Sequence, residues 1–311
     1  MIIHPGFIGI DVSKHHLDIF NATTQHVERI DNTPQAITST FERLRADPIK
    51  LVAFEATGPY DGPLRTALAS LQLSLVRINP ARARDFAKSI GLLAKTDAID
   101  ARMLAAMAQC LNLQADPADD PHRQQLALLH KRRDQFVATR KQELTRLAQA
   151  DMAQIRDSLL DHLAWLEAAI ASLDQHITRL IARHDSLEQR RQLMCSTPGI
   201  GKVISTTLLA LLPELGQRSP KTIAALAGLA PFNRDSGLMR GTRKVIGGRR
   251  RVRQALYMAA VSASRSKSNF AQTYRALRQA GKPPKLALIA LARKILITLN
   301  AILRDQAPFK A

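Results

Sequence analysis

The sequence is poor in the residues that several common kinds of binding site require. Only 4% of its residues are aromatic, which disfavours recognition of nucleic acid mainly by stacking of bases on aromatic side chains. The two cysteines, Cys110 and Cys195, lie far apart and form no CxxC pair, which argues against a zinc site or a disulfide framework. This cysteine usage fits a reducing cytosol.

A long uncharged hydrophobic run is also missing. The most apolar late stretch, residues 286–303, holds Arg293 and Lys294 near its middle, where a membrane span accepts charges only at high cost. We therefore expect a packed amphipathic helix there and no membrane partner. The N-terminal sequence MIIHPGFIGID runs into a strand-like segment without the features of a signal peptide, so we expect a cytoplasmic protein.

Acidic residues are scarce in the last third of the chain. Residues 193–311 contain 21 Lys+Arg and three Asp+Glu, whereas residues 1–192 contain 24 and 23. The net charge of +19 at pH 7 therefore comes almost entirely from the C-terminal third. This asymmetry indicates a polyanionic partner, because basic side chains that neutralise phosphates release bound counterions. A basic surface without a specific partner is the alternative.

The first 110 residues show the pattern of an α/β domain. Three short strand-like segments come first, and a helix then begins at Pro34 with Thr33 as its N-cap. A further buried strand ends at Glu55, and helix and strand patterns alternate from there to Cys110. Because this order of elements is typical of an RNase H-like fold, we predict such a domain at residues 1–115.

The middle of the chain predicts long helices. Residues 123–193 contain no glycine or proline, and apolar residues recur there at steps of four and three. The repeat comprises Leu159, Leu163, Leu166, Ile170, Leu173, Ile177 and Leu180. This heptad seam predicts a coiled coil within residues 116–192, either as a hairpin of one chain or as a contact between subunits. A basic, mainly helical domain is predicted at residues 193–311.

Four carboxylates occupy positions that favour a metal site. Asp11 and Glu55 each close an apolar strand, where an unpaired carboxylate is costly if it is buried. Asp97 and Asp100 are spaced i, i+3, so on a helix they would share one face. Such oxygen ligands favour Mg²⁺ or Mn²⁺, and a pair of these ions can clamp the attacking and leaving oxygens of a phosphodiester. Taken singly, Asp97 also fits a helix N-cap and Asp100 a solvated first-turn acid.

Three segments of the chain resemble one family of mobile-element proteins. GIDVSKHHLDI, FEATGPY and AKTDAIDARMLA are similar to the RuvC-like domain of the insertion-sequence family one-hundred-and-ten transposases, relatives of the Piv-type invertases. Carried over by motif, the DEDD tetrad of that family is Asp11, Glu55, Asp97 and Asp100. The resemblance covers nearly the whole chain, and it implies a metal-dependent DNA recombinase in the cytosol or nucleoid of a prokaryote.

The same resemblance implies a catalytic role for a serine in the C-terminal third. Ser236 lies in RDSG, which is a common turn sequence, and a serine hydroxyl is a weak nucleophile unless it is activated. The family's transposase domain carries its serine nucleophile in this AGLAP…SG context. The resemblance therefore implies a covalent phosphoserine on double-stranded DNA and a bridge RNA that selects the DNA sites. It also implies a homo-oligomer, dimer or tetramer, in which the serine of one subunit meets the carboxylates of another.

Two more motifs of the C-terminal third are candidate nucleic-acid contacts. A basic run beyond Ser236 is predicted to bind phosphates of DNA or RNA. It comprises Arg240, Arg243, Lys244, Arg249, Arg250, Arg251 and Arg253. The segment STPGIGKV resembles a helix-hairpin-helix element, in which Gly199, Gly201 and Lys202 would hold a DNA phosphate. An ordinary helix–turn–helix connection is the alternative for this segment.

Two other functions are compatible with these motifs. A metal-dependent endonuclease of junction-resolvase type would use water as its nucleophile, and Ser236 would then be structural. A non-catalytic DNA-binding regulator would keep the fold without the chemistry, but the complete set of four carboxylates argues against it.

Overall fold

The protein is described by a computed structural model that covers residues 2–56, 58, 60–92, 97–117, 120–232 and 244–310, except for the side chains of Asp97, Ala98, Phe232 and Lys244. It is a mixed α/β protein, mostly helical, with two compact units, Met1–Asp119 and Asp120–Ala311. The boundary between the units lies close to the predicted end of the first domain. The finer division into three domains stays a prediction.

The first unit is a five-stranded sheet with helices on both faces. Its elements are β1 Phe7–Val12, β2 His16–Asn21, β3 His26–Asp31, α1 Pro34–Leu44, β4 Leu51–Glu55, α2 Gly62–Ser70, β5 Leu75–Ile78, α3 Pro80–Ser89 and α4 Asp97–Cys110. The strand order is β3-β2-β1-β4-β5. β1 pairs antiparallel with β2 and parallel with β4, which is the arrangement expected of an RNase H-like domain.

Local signals in the sequence account for the start of the first helix. The Thr33 hydroxyl accepts a hydrogen bond from the Ala36 N–H, and Pro34 occupies the first helical position, where a missing N–H costs nothing. Ile37 and Phe41 of this helix pack against the sheet together with Ile10 of β1. The N-cap predicted at Thr33 is therefore confirmed.

The second unit is helical apart from one two-stranded ribbon. Its elements are α5 Pro121–Leu147, α6 Ala153–Ala182, α7 Asp185–Cys195, α8 Lys202–Leu211, α9 Pro220–Leu226, β6 Pro231–Phe232, β7 Lys244–Val245, α10 Arg250–Ser264, α11 Asn269–Gln279 and α12 Pro284–Asp305. The ribbon strands β6 and β7 are antiparallel and bracket residues 233–243. Residues 233–243, between these two strands, lie outside the described residues.

The helices α5 and α6 form a hairpin of one chain. Arg133 pairs with Asp174 and Arg140 pairs with Glu167, so the partner number falls as α5 advances and the two helices run antiparallel. The seam residues Leu163, Leu166 and Ile177 are buried in this unit. Part of the heptad repeat is therefore used within the chain, which was one of the two arrangements that the sequence allowed.

Helix α12 lies in the core of the second unit. It is the one helix, among the described residues, that is long and apolar enough to cross a membrane by length and composition, and half of that stretch is buried. Leu291, Ile295 and Leu299 are fully enclosed beside α10 side chains such as Leu256. This packing agrees with the amphipathic core helix expected from the sequence, whereas the cytoplasmic location stays a prediction.

A buried histidine, His130, joins the hairpin to α8. Its Nε2 lies 2.9 Å from the Thr207 hydroxyl, which itself donates to the Val203 carbonyl oxygen at 2.8 Å. The hydroxyl is therefore an acceptor for the ring, so Nε2 carries the proton of a neutral imidazole. Burial lowers the pKa of His130 below its ordinary value of 6.5, although the nearby carboxylate of Asp134 acts in the opposite direction.

Acidification is expected to destabilise the second unit through this histidine. The unfolded chain takes up the proton near the ordinary pKa of 6.5, whereas folded His130 resists it, so stability falls as the pH drops below 6.5. The slope from one such group is at most about 1.4 kcal/mol per pH unit. The free energy of unfolding is measured in urea for the wild type and for His130→Gln at several pH values below 6.5. It should fall less steeply with decreasing pH in the variant. Equal slopes for both proteins would contradict the assignment.

Candidate metal centre and nucleic-acid surface

The structure places two of the four carboxylates side by side. β1 and β4 are parallel neighbours whose last recorded pair is Ile10 with Phe54, so the next residues in register are Asp11 and Glu55. Neighbouring strands lie about 4.8 Å apart. Both residues are half-buried at the ends of these strands. Two carboxylates therefore meet at the same edge of the sheet, as the strand-end pattern predicted.

Alternation along the strands shows which face these two residues share. Phe7 of β1 and Ala53 of β4 pack on the face that carries α4, whereas Ile10 packs on the opposite face. Side chains two residues apart along a strand lie on the same face. Asp11 and Glu55 therefore lie on the face of the sheet that α4 covers.

Helix α4 begins at this same edge of the sheet. Near its C-terminus, the Gln109 side chain accepts from the His4 N–H at 2.6 Å and donates to the Ile2 carbonyl oxygen at 3.1 Å. In the middle of the strand, a Cβ on Gly9 would lie 1.9 Å from the Ala101 carbonyl oxygen, so α4 crosses β1 there in direct backbone contact. The helix thus runs opposite to β1, and its N-terminus points to the Asp11 end.

The second pair of carboxylates lies on this N-terminal turn. Asp97 is the first residue of α4, and Asp100, three residues later, is half-buried. The side chain of Asp97 lies outside the described residues. Among the side chains that the structure describes, no three His, Cys, Asp or Glu residues form a closed metal-binding group. The backbone nevertheless brings the ends of β1 and β4 and the start of α4 to one edge of the sheet. Their carboxylate oxygens are of the type that hard divalent cations bind.

A fifth carboxylate, which the sequence pattern did not single out, lies next to this edge. Asp18 of β2 lies directly opposite Asp11 in the antiparallel ladder and is 5% exposed. Both of its oxygens accept hydrogen bonds from Arg29 at 2.9 Å. Carboxylates directly opposite each other repel, so the Arg29 guanidinium offsets a charge that would otherwise face Asp11. An acid at the centre of the apolar strand HLDIFN was the available signal.

Ser236, Arg240 and Arg243 lie outside the described residues, but the stem that carries their segment is tightly packed. A Cβ on Gly248 would lie 2.1 Å from the Gly228 nitrogen, so two backbone segments touch at this crossing. Glycine is required there because both residues also have positive φ.

Much of the described basic run has partners within the chain. Arg249 makes two hydrogen bonds to Glu214, at 2.5 and 2.6 Å, and Arg251 makes two to Asp134, at 2.5 and 2.9 Å. Burial raises the pKa of Glu214, but the hydrogen bonds and charge of Arg249, with smaller contributions from a backbone hydrogen bond and the charge of Arg218, together hold that pKa below the ordinary value. Arg253 donates to the Gly247 carbonyl oxygen at 2.7 Å. These three arginines therefore brace the base of α10.

Two further members of the run lie among the described residues. Arg250 is exposed, and Lys244 belongs to the ribbon strand β7. A role of these residues in nucleic-acid binding stays a prediction.

The PGIG turn has both a packing role and an open side. Gly199 has φ +88°, and a Cβ there would lie 2.5 Å from the Ala259 carbonyl oxygen, so the turn sits directly on α10. On the other side, residues 195–201 and Ser262 line an open depression. Gly201 precedes α8 without a side-chain cap, and Lys202 is exposed at the first helical position. Packing explains Gly199, and the uncapped helix start fits an anion.

Comparison with known proteins decides the family. Residues 8–155 match the IS110-type DEDD family described as "Transposase", and residues 191–275 match the "Transposase IS116/IS110/IS902 family". The chain is 30% identical over 314 residues to the "Pilin gene-inverting protein" of Moraxella lacunata, with 97% of each chain covered. The chain belongs to the IS110 transposase family. The protein of the same name from Moraxella bovis is also 30% identical, over 317 residues and 97% of each chain.

Membership of the IS110 family confirms the resemblance seen in the motifs. A partial relative, an uncharacterized 42 kDa protein of insertion element IS900 from Mycobacterium paratuberculosis, is 31% identical over 147 residues, which is 46% of this chain and 36% of that one. The N-terminal match includes all four tetrad positions, and the C-terminal match includes Ser236. As an IS110 transposase the protein is a DNA recombinase, and its DEDD domain indicates dependence on a divalent metal.

Proposed function

We propose that this transposase cuts and rejoins double-stranded DNA through a covalent phosphoserine at Ser236, assisted by a divalent cation at the DEDD carboxylates. The observation that carries the proposal is the convergence of Asp11, Glu55 and the start of α4 at one edge of the sheet. A junction endonuclease that uses water as its nucleophile would rely on the same carboxylates at this edge of the sheet. The family match over Ser236 supports the serine reaction instead.

The four carboxylates would hold the ion as oxygen ligands. Asp11 and Glu55 would supply the two strand-end ligands, and Asp97 and Asp100 those of the helix. When bound, Mg²⁺ or Mn²⁺ would polarise a phosphoryl oxygen and neutralise charge that develops in the transition state. The guanidinium of Arg29 pairs with Asp18, so the negative charge of this buried acid beside Asp11 is offset.

The covalent step conserves phosphodiester bonds. The Ser236 oxygen attacks a backbone phosphorus and loses its proton, while the bond from phosphorus to the leaving sugar oxygen breaks and that oxygen is protonated. In the second step a sugar hydroxyl of another strand attacks the phosphoserine and restores the serine hydroxyl. One bond forms for each bond that breaks, so rejoining needs no ATP.

The partners follow from the charge distribution and the family. The basic C-terminal third fits the phosphates of duplex DNA and those of a bridge RNA that would select donor and target. The PGIG turn, with Gly199, Gly201 and Lys202, would hold one backbone phosphate without reading bases. We further propose a dimer or tetramer in which Ser236 of one subunit and the carboxylates of another form one active site.

A trapping experiment tests the serine reaction. The protein is incubated with duplex DNA that carries the ends of its element and with Mg²⁺, then denatured, and the covalent DNA adduct is measured. We expect an adduct for the wild type and for Ser158→Ala, whose serine is exposed on α6, and none for Ser236→Ala. Peptide mass spectrometry should place the phosphate on Ser236. An adduct that persists in Ser236→Ala, or cleavage without any adduct, would overturn the proposal.

A further inference from the structure

Two groups of cations in the C-terminal third differ in their partners. Between Asp235 and Asp305 the sequence contains sixteen Lys+Arg and no Asp or Glu. The first group, Arg249, Arg251 and Arg253, is bound within the chain, as described above. A second group lies on α11, the turns that flank it and the first turn of α12. We name it the α11 surface, and it comprises Arg265, Lys267, Arg275, Arg278, Lys282 and Lys285.

Helix α11 holds this group outward by burying its other face. Phe270 and Ala271 are enclosed in the core, and Phe270 stacks on Phe309 with ring centroids 5.5 Å apart. Arg275 and Arg278, three residues apart on the outer side, are exposed. Residues with this spacing are neighbours on a helix surface, so both arginines lie on the same outer side of α11.

The cations of the α11 surface have no acidic partner among the described residues. The hydrogen bonds that Arg275 and Arg278 donate go to main-chain carbonyl oxygens, those of Ala271 and Lys282. Several arginines of the hairpin and α7 differ, because Arg133, Arg140 and Arg191 each pair with a nearby carboxylate. Acidic side chains therefore neutralise several arginines elsewhere in this unit, whereas the α11 surface is a cluster of cations without an acid among its described neighbours.

We infer that the α11 surface binds the phosphodiester backbone of a nucleic acid. The choice of nucleic acid as the partner rests on the proposed function. A polyanion is the partner that offsets the mutual repulsion of clustered cations, and its binding gains from counterion release. Nearby Tyr274 packs against the core, so bases would find no aromatic platform there. Contacts of this kind position a nucleic acid and do not read its sequence. The same chemistry suits DNA and RNA.

A pair of charge-matched variants of the full chain tests the inference. The first is Arg275→Gln/Arg278→Gln/Lys285→Gln on the α11 surface. The control is Lys131→Gln/Lys141→Gln/Arg179→Gln, three exposed cations of the hairpin. Fluorescence anisotropy at several salt concentrations measures binding to a random-sequence duplex DNA and to a structured RNA hairpin. Thermal unfolding confirms that each variant is folded.

The α11 variant is expected to bind at least about tenfold more weakly at low salt, and its plot of log K against log salt should be shallower by about 2 to 3. Loss on the duplex alone assigns the surface to DNA, and loss on the hairpin alone assigns it to RNA. The control should lose less than about threefold. A charge-preserving Arg275→Lys/Arg278→Lys/Lys285→Arg variant should keep the wild-type slope.

Equal losses in the α11 variant and the hairpin control would show a bulk charge effect and overturn the inference, as would wild-type binding by the α11 variant. Poly-glutamate that binds as tightly as the duplex would overturn the assignment to nucleic acid. Because these measurements need no catalysis, they stand apart from the trapping of Ser236. If no adduct forms, the binding measurements can still be interpreted. If the binding is unchanged, the adduct test can still be interpreted.

Discussion

Asp11→Asn is expected to lower DNA strand exchange by at least about a thousandfold. The substitution keeps the size of the side chain but removes the negative charge of a proposed metal ligand where β1, β4 and α4 converge. A bound divalent ion contributes several kcal/mol of charge stabilisation in the transition state, and about 4 kcal/mol corresponds to a factor of a thousand. Recombination of a plasmid substrate, with Mn²⁺ binding measured by titration calorimetry, checks both the rate and its cause.

The matched control for Asp11 is Glu28→Gln in the same unit. Glu28 pairs with Arg43 at 2.6 Å at the surface, and exposed ion pairs contribute about 0 to 1 kcal/mol. We therefore expect recombination within about twofold of wild type for this variant. Full activity in Asp11→Asn would show that the carboxylate is not part of the reaction centre. An equal loss in both variants would point to the net charge of the unit instead.

Gly9→Ala is expected to destabilise the first unit by about 3 kcal/mol or more. The added Cβ would meet the Ala101 carbonyl oxygen at 1.9 Å and the Ala105 nitrogen at 2.7 Å. Both atoms belong to the main chain of α4, so the helix itself must move, and overpacking of this kind costs typically 1–3 kcal/mol and occasionally more. Hydrogen exchange of the amides in β1 and α4 measures the loss.

The same displacement should also carry Asp97 and Asp100 away from the strand-end carboxylates, so we expect recombination to fall with stability. Gly62→Ala provides the comparison, because a Cβ at Gly62 has no described atom within 4 Å. Such a replacement is neutral or stabilises by up to about 1 kcal/mol. Wild-type protection of β1 and α4 in Gly9→Ala would show that α4 does not depend on this contact.

Much of the candidate centre follows from local patterns that the sequence displays. The apolar runs before Asp11 and Glu55 define buried strands, and parallel pairing of β1 with β4 then places both strand ends at one edge. The i, i+3 spacing of Asp97 and Asp100 predicts a shared helix face, and α4 begins at Asp97. These inferences succeed because strand and helix periodicity is a property of neighbouring residues.

Long-range pairing is what the sequence could not supply. Arg249 and Arg251 stand in a run without acids, yet their partners Glu214 and Asp134 lie 35 and 117 residues earlier in the chain. The run alone predicted phosphate contacts for them, because a count of nearby charges does not show which cations the fold has already neutralised. Asp18 was overlooked for the same reason, since its place opposite Asp11 depends on the register of β1 with β2.

The direct crossing of α4 over Gly9 also sets an order of events during synthesis. β1 is made at the start of the chain, but the helix that covers it and brings Asp97 and Asp100 follows about ninety residues later. At about 5 to 20 residues per second, the ribosome needs about 5 to 20 s to deliver that helix. The nascent chain therefore holds Asp11 for some seconds without its helical partners. The candidate metal centre can therefore form only after α4 has been synthesised.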